Sequence, residues 1–162
     1  MPHLDAAWRF ARWLSSTPAD AEDVVQEAML RAFRAFDSLR GGDVKSWLFA
    51  IVRNCQASAH RRALTAAAAP LPEELSPAGL DATADVPQHE AQRRDERRLL
   101  IRLMAALAPE QREVLVLREI EDLSYREIAH VMGVPLGTVM SRLARARSAL
   151  KARWLEASGE PA

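Results

Sequence analysis

The sequence contains one cysteine, no long apolar run and no secretion signal, and each of these scarcities removes a class of protein. Cys55 alone allows neither an internal disulfide framework nor an all-cysteine metal site. No apolar stretch approaches the ~18 residues that span a bilayer. The N-terminal stretch MPHLDAAWRF lacks the basic start and apolar core of a secretion signal. We therefore expect a cytoplasmic protein without stable membrane insertion.

Net charge is also lacking, because 22 Lys and Arg balance 22 Asp and Glu in 162 residues. This balance excludes a uniformly basic, histone-like nucleic-acid binder. The charge is nevertheless segregated along the chain. Residues 63–92 carry five acids and no Lys or Arg, whereas residues 124–155 carry six basic residues and one acid. The second of these segments is therefore expected to present a local basic face.

The acidic segment holds most of the helix breakers, including Pro70, Pro72, Pro77 and Pro87, and it has no sustained helical or strand period. This composition is typical of a linker. Apolar residues on both sides of it recur at helical spacing. The sequence therefore predicts an all-α protein of two small helical domains, residues 1–63 (the first unit) and 92–158 (the second unit), joined by a flexible acidic linker, residues 64–91.

The first unit is predicted to contain three helices. Thr17 and Pro18 mark the start of the second helix, with a hydroxyl cap followed by proline at the first helical position. Gly41 and Gly42 end it, and a third apolar stripe leads to Cys55, which we interpret as a small core residue. The residues predicted to form the buried stripe of the second helix are Val25, Ala28, Met29, Ala32, Phe33 and Phe36.

The second unit contains a helix-turn-helix pattern. Ser124 and Glu127 are spaced as a capping box, and Gly133 lies where a helix C-terminus requires positive φ. A second helix is predicted from about Pro135 to Ala157. Its hydroxyl and guanidinium groups are donors suited to phosphates and base edges. The residues expected to share its polar face are Thr138, Ser141, Arg142 and Arg145, and the basic surface is extended by Arg147, Lys151 and Arg153.

Two features of the first unit have two interpretations each. Trp47 and Arg53 are able to stack and clamp unpaired bases, or Trp47 simply belongs to the core. The acidic residues 20–27 complement the helix dipole, or they form a contact surface for a basic partner. Asp23 and Glu27 share a helix face, but no histidine accompanies them at ligand spacing. No metal, cofactor or catalytic residue is expected, because no nucleophile–base set or phosphate-binding glycine loop is present.

Residues 18–54, PADAEDVVQEAMLRAFRAFDSLRGGDVKSWLFAIVRN, and residues 107–147, LAPEQREVLVLREIEDLSYREIAHVMGVPLGTVMSRLARAR, carry a family resemblance. Together and in this order they resemble the extracytoplasmic-function (ECF, group 4) sigma factors of bacterial RNA polymerase, in the sigma-70 family. The resemblance implies an alternative sigma factor that binds the clamp and flap regions of core RNA polymerase and the promoter DNA. It also implies an anti-sigma factor as a partner.

The resemblance assigns roles to residues of both units. Those implied to dock on the polymerase clamp are Asp23, Gln26 and Glu27. Those implied to bind the minus-10 element, with capture of a flipped base, are Arg40, Lys45, Ser46, Trp47, Arg53, Asn54, Arg61 and Arg62. Those implied to bind the minus-35 element are Tyr125, Thr138, Ser141, Arg142, Arg145 and Arg147. The linker is implied to lie in the RNA exit path of the polymerase.

This sequence departs from the family pattern at two places. About 16 residues precede Thr17, so the family's first helix is expected to be truncated. Met140 stands where many relatives have Lys or Arg, so we expect no polar base contact there. The chain ends soon after the helix-turn-helix, and no added C-terminal domain is expected.

Other functions remain open on the residues alone. A stand-alone helix-turn-helix regulator would use only the second unit, form dimers and bind duplex DNA tightly. A helical adaptor would regulate transcription through protein contacts and would tolerate loss of Arg142 and Arg145. A helical metalloenzyme is a more distant alternative. Opposite charges on the linker and the recognition helix favour a closed arrangement of the free protein.

Overall fold

The computed structural model describes residues 2–66 and 89–159, and every regular element in these ranges is helical. In chain order they are α1 (Leu4–Leu14), α2 (Pro18–Ala35), a 3-10 turn (Phe36–Ser38), α3 (Val44–Ala66), α4 (His89–Ala105), α5 (Pro109–Leu115), a π-helical turn (Val116–Ile120), α6 (Tyr125–Met132) and α7 (Leu136–Ser158). The all-α prediction is confirmed. Residues 67–88, which make up most of the predicted linker, lie outside the described residues.

The first unit is a three-helix assembly in which α1, α2 and α3 all contact one another. Thr17 caps α2 by accepting a hydrogen bond from the Asp20 amide, as predicted, and Pro18 occupies its first turn. The side chain of Gln56 on α3 accepts from Ser15 Oγ and donates to the Leu14 carbonyl. The end of α1 is therefore fixed to the middle of α3, and Cys55 next to Gln56 is buried as expected.

The predicted apolar stripe of α2 is wrong at its C-terminal end. Phe33 is 81% exposed and Phe36 is 56% exposed. The buried residues of α2 are Ala21, Val24, Val25, Ala28 and Ala32. Phe33 follows Ala32 and is therefore rotated about 100° away from the buried face, since a helix turns by that angle at each residue. Periodicity alone did not distinguish these neighbours.

The second unit is built around α5 and α7, which form the most extensive helix pair within it, with α6 packed on α7. The π-helical turn closes with a hydrogen bond from the Glu121 amide to the Val116 carbonyl at 3.0 Å. Asp122 then takes a positive φ of 54°. This reversal turns the chain into α6 and leaves the Glu121 side chain completely buried.

The two units pack against each other directly. Helix α3 contacts α6 extensively, and α1 contacts α5 and the π-helical turn. Buried apolar side chains from both units form one continuous cluster, in which the rings of Phe10 and Phe49 stack at 4.9 Å. The described part of the chain is therefore in a closed arrangement.

Candidate nucleic-acid interface

The helix-turn-helix is held by the local interactions that the sequence predicts. The Ser124 side chain accepts from the Glu127 amide at 3.2 Å, and the Ser124 amide donates to the Glu127 carboxylate at 2.6 Å. Gly133 ends α6 in the left-handed region with φ of 63°. A Cβ built at Gly133 would meet no atom within 4 Å, so the backbone conformation rather than lack of space requires glycine.

Helix α7 presents a small polar face to solvent. Ser141 and Arg145 are exposed, and the Arg145 guanidinium lies 3.3 Å from both the Ser141 carbonyl and its hydroxyl. Thr138 is half-buried and its carbonyl accepts from Ser141 Oγ. Met140 is 53% exposed on the same helix and adds an apolar contact surface. These residues form a face able to bind phosphates and base edges.

Two other predicted cations of α7 have acidic partners within the second unit. Arg142 lies 3.4 Å from the Glu110 carboxylate, and only 20% of its side chain is exposed. Arg147 binds Glu119 at 2.6 Å, and this hydrogen bond is the main cause that raises the pKa of Arg147. Arg142 and Arg147 are therefore positioned by side chains outside the recognition helix.

Tyr125, the first residue of α6, is half-buried. The guanidinium carbon of Arg118 lies 5.4 Å from its ring centroid, a cation–π distance. Arg118 also donates to the Leu123 carbonyl at 2.8 Å. The ring is therefore fixed beside the N-terminus of α6, where a helix favours a phosphate.

The start of α3 depends on a residue that the sequence analysis did not single out. Asp43 accepts from the amide of Ser46 at 2.8 Å and from that of Lys45 at 3.4 Å. Burial works to raise the pKa of Asp43, but these bonds outweigh it and lower the pKa. Ser46 is itself buried, and its hydroxyl donates to the Asp43 carbonyl. The structure therefore places Ser46 in the helix start instead of on an exposed face. The sequence Gly-Gly-Asp ahead of an apolar run was the available signal for this cap.

The other residues predicted to bind the minus-10 element divide into two groups. Arg40, Asn54, Arg61 and Arg62 are exposed. Lys45, Trp47 and Arg53 are half-buried, and Trp47 packs against the core. Each of the two cations in this second group faces a carboxylate of the second unit, Glu121 for Lys45 and Glu113 for Arg53.

Acidic and apolar residues lie side by side on the outer surface of α2. Asp23 and Gln26 are exposed, and Glu27 binds Arg31 at 2.7 Å, which lowers the pKa of Glu27. A groove of about 870 Å³ between α1 and α2 adjoins them. Its lining includes Trp8, Gln26, Met29, Leu30 and Phe33. Phe33 was predicted to lie in the buried stripe, whereas the sequence indicated no role for Leu30; both are exposed.

Among residues 2–66 and 89–159, no group of three His, Cys, Asp or Glu side chains is placed to hold a metal ion. Over the same residues, no helix combines the length and the apolar character that are needed to cross a membrane.

Comparison with known families and proteins gives matches over both units. Residues 1–64 match the family described as sigma-70 region 2, and residues 97–150 match the family described as sigma-70, region 4. The chain is 37% identical over 163 residues to the ECF RNA polymerase sigma factor SigE of Mycolicibacterium smegmatis. That alignment covers 99% of this chain and 62% of the relative, so the chain spans less than two thirds of that protein. The ECF RNA polymerase sigma-E factor of Escherichia coli is 35% identical, over 81% of this chain and 72% of the relative.

Two solved structures of similar fold come from complexes. The sigma factor RpoE of Bartonella quintana, crystallised with the anti-sigma factor NepR, superposes with a TM-score of 0.72 at 29% identity, over 93% of this chain and 91% of that one. CnrH, solved with the cytosolic domain of CnrY, gives a TM-score of 0.64 at 25% identity, over 96% of this chain and 84% of that one.

Proposed function

The chain belongs to the ECF sigma factors of the sigma-70 family, and from this we propose that it directs core RNA polymerase to a set of promoters. It binds the minus-35 and minus-10 elements and helps to melt the DNA at the start site. The observation that supports this most strongly is the order of the two matched regions, with a capped helix-turn-helix at residues 124–158 in the second. A stand-alone regulator would need only that second region.

The minus-35 element is bound by the exposed face of α7. Arg145 and Ser141 are free of the protein interior and contact phosphates and base edges, with Thr138 and Tyr125 near the phosphates. Arg142, held by Glu110, approaches the groove at a fixed angle, and Arg147, held by Glu119, meets the backbone beyond it. Met140 contributes apolar contact, which suits a thymine methyl group.

The minus-10 element is bound by the loop before α3 and by the exposed side of α3. Arg61 and Arg62 meet the DNA backbone, and Arg40 and Asn54 lie where the unpaired strand passes. Lys45, Trp47 and Arg53 complete this surface once they are uncovered. An extruded base costs a few kcal/mol of stacking, and its contacts in the protein offset that cost. No step here makes or breaks a covalent bond, so the protein acts by binding and positioning.

The polymerase clamp docks on the outer face of α2. Asp23, Gln26 and Glu27 supply the polar contacts, and the neighbouring Leu30 and Phe33 supply exposed apolar area. An apolar centre with a polar rim is the usual composition of a protein interface. This arrangement explains why two large side chains are left in solvent on a helix that has a well-packed opposite face.

An anti-sigma factor controls the free protein, and both act in the cytoplasm, where bacterial promoters are transcribed. The support is indirect: RpoE, which shares this fold, was crystallised with the anti-sigma factor NepR, and CnrH was solved with the cytosolic domain of CnrY. The second unit supplies the contact to the flap region of the polymerase, by its match to region 4.

Reconstitution with bacterial core RNA polymerase tests the proposal. The protein is titrated onto the core enzyme, and transcripts made from a pool of genomic fragments are sequenced. We expect stable association and new start sites, both lost in Asp23→Ala plus Gln26→Ala. The matched control is Gln92→Ala plus Asp95→Ala, which removes the same residue types at the same spacing from the exposed face of α4. No association, with tight duplex binding by the protein alone, would refute the proposal and favour the stand-alone regulator.

A further inference from the structure

The cations of the first unit that face the second unit converge on two buried carboxylates. Arg9 binds both oxygens of Glu121, at 3.1 Å each. Lys45 Nζ lies 3.4 Å from the same carboxylate and donates to the Glu121 carbonyl at 2.6 Å. The Glu121 side chain is completely buried by these contacts. Among the contacts that the structure shows, only cations of the first unit balance the negative charge of Glu121.

A second pair repeats the pattern further along α3. Arg53 Nε lies 2.5 Å from the Glu113 carboxylate, whose side chain is 8% exposed. Burial raises the pKa of Glu113, although Arg53 works to lower it. Removing a carboxylate from water costs free energy that offsets most of the stability gained from its ion pair. Such pairs therefore fix the relative orientation of the two units more than they stabilise the contact between them. Two of them form a contact that is well oriented and reversible.

The positions of these carboxylates coincide with a proposed binding surface. Lys45 and Arg53 belong to the set assigned to the minus-10 DNA, and an oxygen within 2.5–3.4 Å of each occupies the place of a phosphate oxygen. A cleft of about 730 Å³ opens beside the Arg53–Glu113 pair and is lined by both units. This pair is thus at the edge of the contact, where a competing anion has access.

We propose that Glu113 and Glu121 act as an internal substitute for promoter phosphates, so that docking of the second unit and binding of minus-10 DNA are mutually exclusive. The inference rests on the proposed minus-10 role of Lys45 and Arg53. In the docked form the second unit covers these two cations, and DNA binds after the units separate. Four of the five acids of the predicted linker, which sequence favoured for closure, lie outside the described residues; the described closing contacts use acids of the second unit instead.

The test neutralises both carboxylates without changing their shape, in the full chain with Glu113→Gln plus Glu121→Gln. The matched control, Asp95→Asn plus Asp122→Asn, removes the same charge from exposed positions of the same unit. Small-angle X-ray scattering reports the radius of gyration. Fluorescence anisotropy reports binding of a labelled single-stranded oligonucleotide of mixed sequence at low salt. Far-UV circular dichroism reports folding.

We expect the double glutamine variant to have a larger radius of gyration than wild type and the control. We expect it to bind the oligonucleotide on the order of tenfold more tightly, equivalent to about 1.4 kcal/mol. Adding Lys45→Ala and Arg53→Ala should abolish the gain in affinity. A larger radius without tighter binding, tighter binding without a larger radius, or a gain that survives loss of both cations would each overturn the inference.

A second variant keeps the inference testable if the double glutamine variant does not fold. Arg9→Ala removes the bidentate partner of Glu121 from a side chain that is 48% exposed, and Arg9 is outside the proposed DNA set. If the double variant fails to fold, Arg9→Ala is judged by the same two readouts and the same outcomes. None of these measurements uses polymerase. A failed reconstitution therefore refutes the proposed function, whereas unchanged radius and affinity refute the docking inference.

Discussion

Arg142 of α7 and Glu110 of α5 lie 3.4 Å apart, so one cation of the proposed DNA-binding set is held by a helix outside that set. Arg145, one turn further along α7, has no such partner among the contacts that the structure shows and bonds only to Ser141 of its own helix. The two arginines therefore differ in how much freedom they lose on binding. Their substitution should have different effects.

Arg145→Ala should weaken promoter binding and make it less sensitive to salt. Loss of one phosphate contact reduces the slope of log affinity against log salt by about 0.9. The measurement is a salt titration of promoter binding by the polymerase holoenzyme. Arg93→Ala, an exposed arginine of α4, serves as the control. An unchanged slope would remove Arg145 from the phosphate contacts.

Gly133→Val should destabilise the second unit by about 1–3 kcal/mol, because a β-branched residue at φ of 63° is strained. Urea unfolding of the full chain measures the loss. Gly137→Ala is the matched control, since Gly137 lies in α7 with ordinary φ and with open space around its Cβ position. That substitution should be neutral or gain up to about 1 kcal/mol. Equal stability of the two variants would show that the turn is not where we place it.

Ser124→Ala should cost about 1 kcal/mol of unfolding free energy, because it removes the side-chain half of the capping box. Ser124→Asp should recover most of this loss, as aspartate caps equally well. Ser148→Ala, at an exposed position of α7, gives the baseline for a serine lost elsewhere. An equal loss of unfolding free energy in Ser124→Ala and Ser148→Ala would contradict the assignment of Ser124 as the helix cap.

Phe33→Ser should weaken binding to core polymerase while leaving the unfolding free energy within about 0.5 kcal/mol of wild type, as is usual for surface positions. Phe49→Ala provides the contrast, because Phe49 is fully buried against Phe10 and its loss should cost about 3–5 kcal/mol. Equilibrium binding to core enzyme and urea unfolding separate the two effects. Unchanged polymerase affinity in Phe33→Ser would exclude Phe33 from the docking face.

Stability should depend on pH through Glu113. Its pKa is raised above the ordinary 4.5 mainly by burial; Arg53 and Arg142 oppose the shift, and Glu110 adds to it. The folded form therefore holds the proton more tightly than the unfolded form. This contribution to stability is complete below pH 4.5 and is lost as pH rises through the raised value.

Comparison of wild type with Glu113→Gln isolates this effect. Wild type should gain stability relative to the variant as pH falls through that window, by about 1.4 kcal/mol for each pH unit that the window spans. Urea unfolding at closely spaced pH values gives both curves. Parallel curves would show that Glu113 is hydrated in the folded protein.

The parts of the structure that sequence predicted are those set by neighbouring residues. The Ser124–Glu127 capping box and the turn at Gly133 involve residues within a few positions of each other. Local backbone geometry restricts which residue types can occupy these positions, so both can be predicted from the sequence. The Arg9–Glu121 pair joins residues 112 positions apart, and nothing local marks it. Ion pairs over such separations follow from how helices pack, which charge patterns do not specify.

Phe33 shows a second limit of sequence reasoning. Helical spacing identified the apolar side of α2, but a residue next to the stripe fits the same period within its tolerance. Lys45 and Arg53 show a third limit, because a basic side chain that can bind a DNA phosphate can equally bind a carboxylate of the same chain. The resemblance indicated the roles of these cations, while only the fold shows what faces them.

Cys55, the single thiol of the chain, is buried on α3 in the first unit, and burial raises its pKa. The nucleophilic form of cysteine is the thiolate, so alkylating reagents will react with the native protein only when the first unit opens. The rate of modification then measures the free energy of that opening without any engineered label. Because Cys55 reacts slowly in the native protein, a fluorophore will label a cysteine introduced at an exposed position in preference to Cys55.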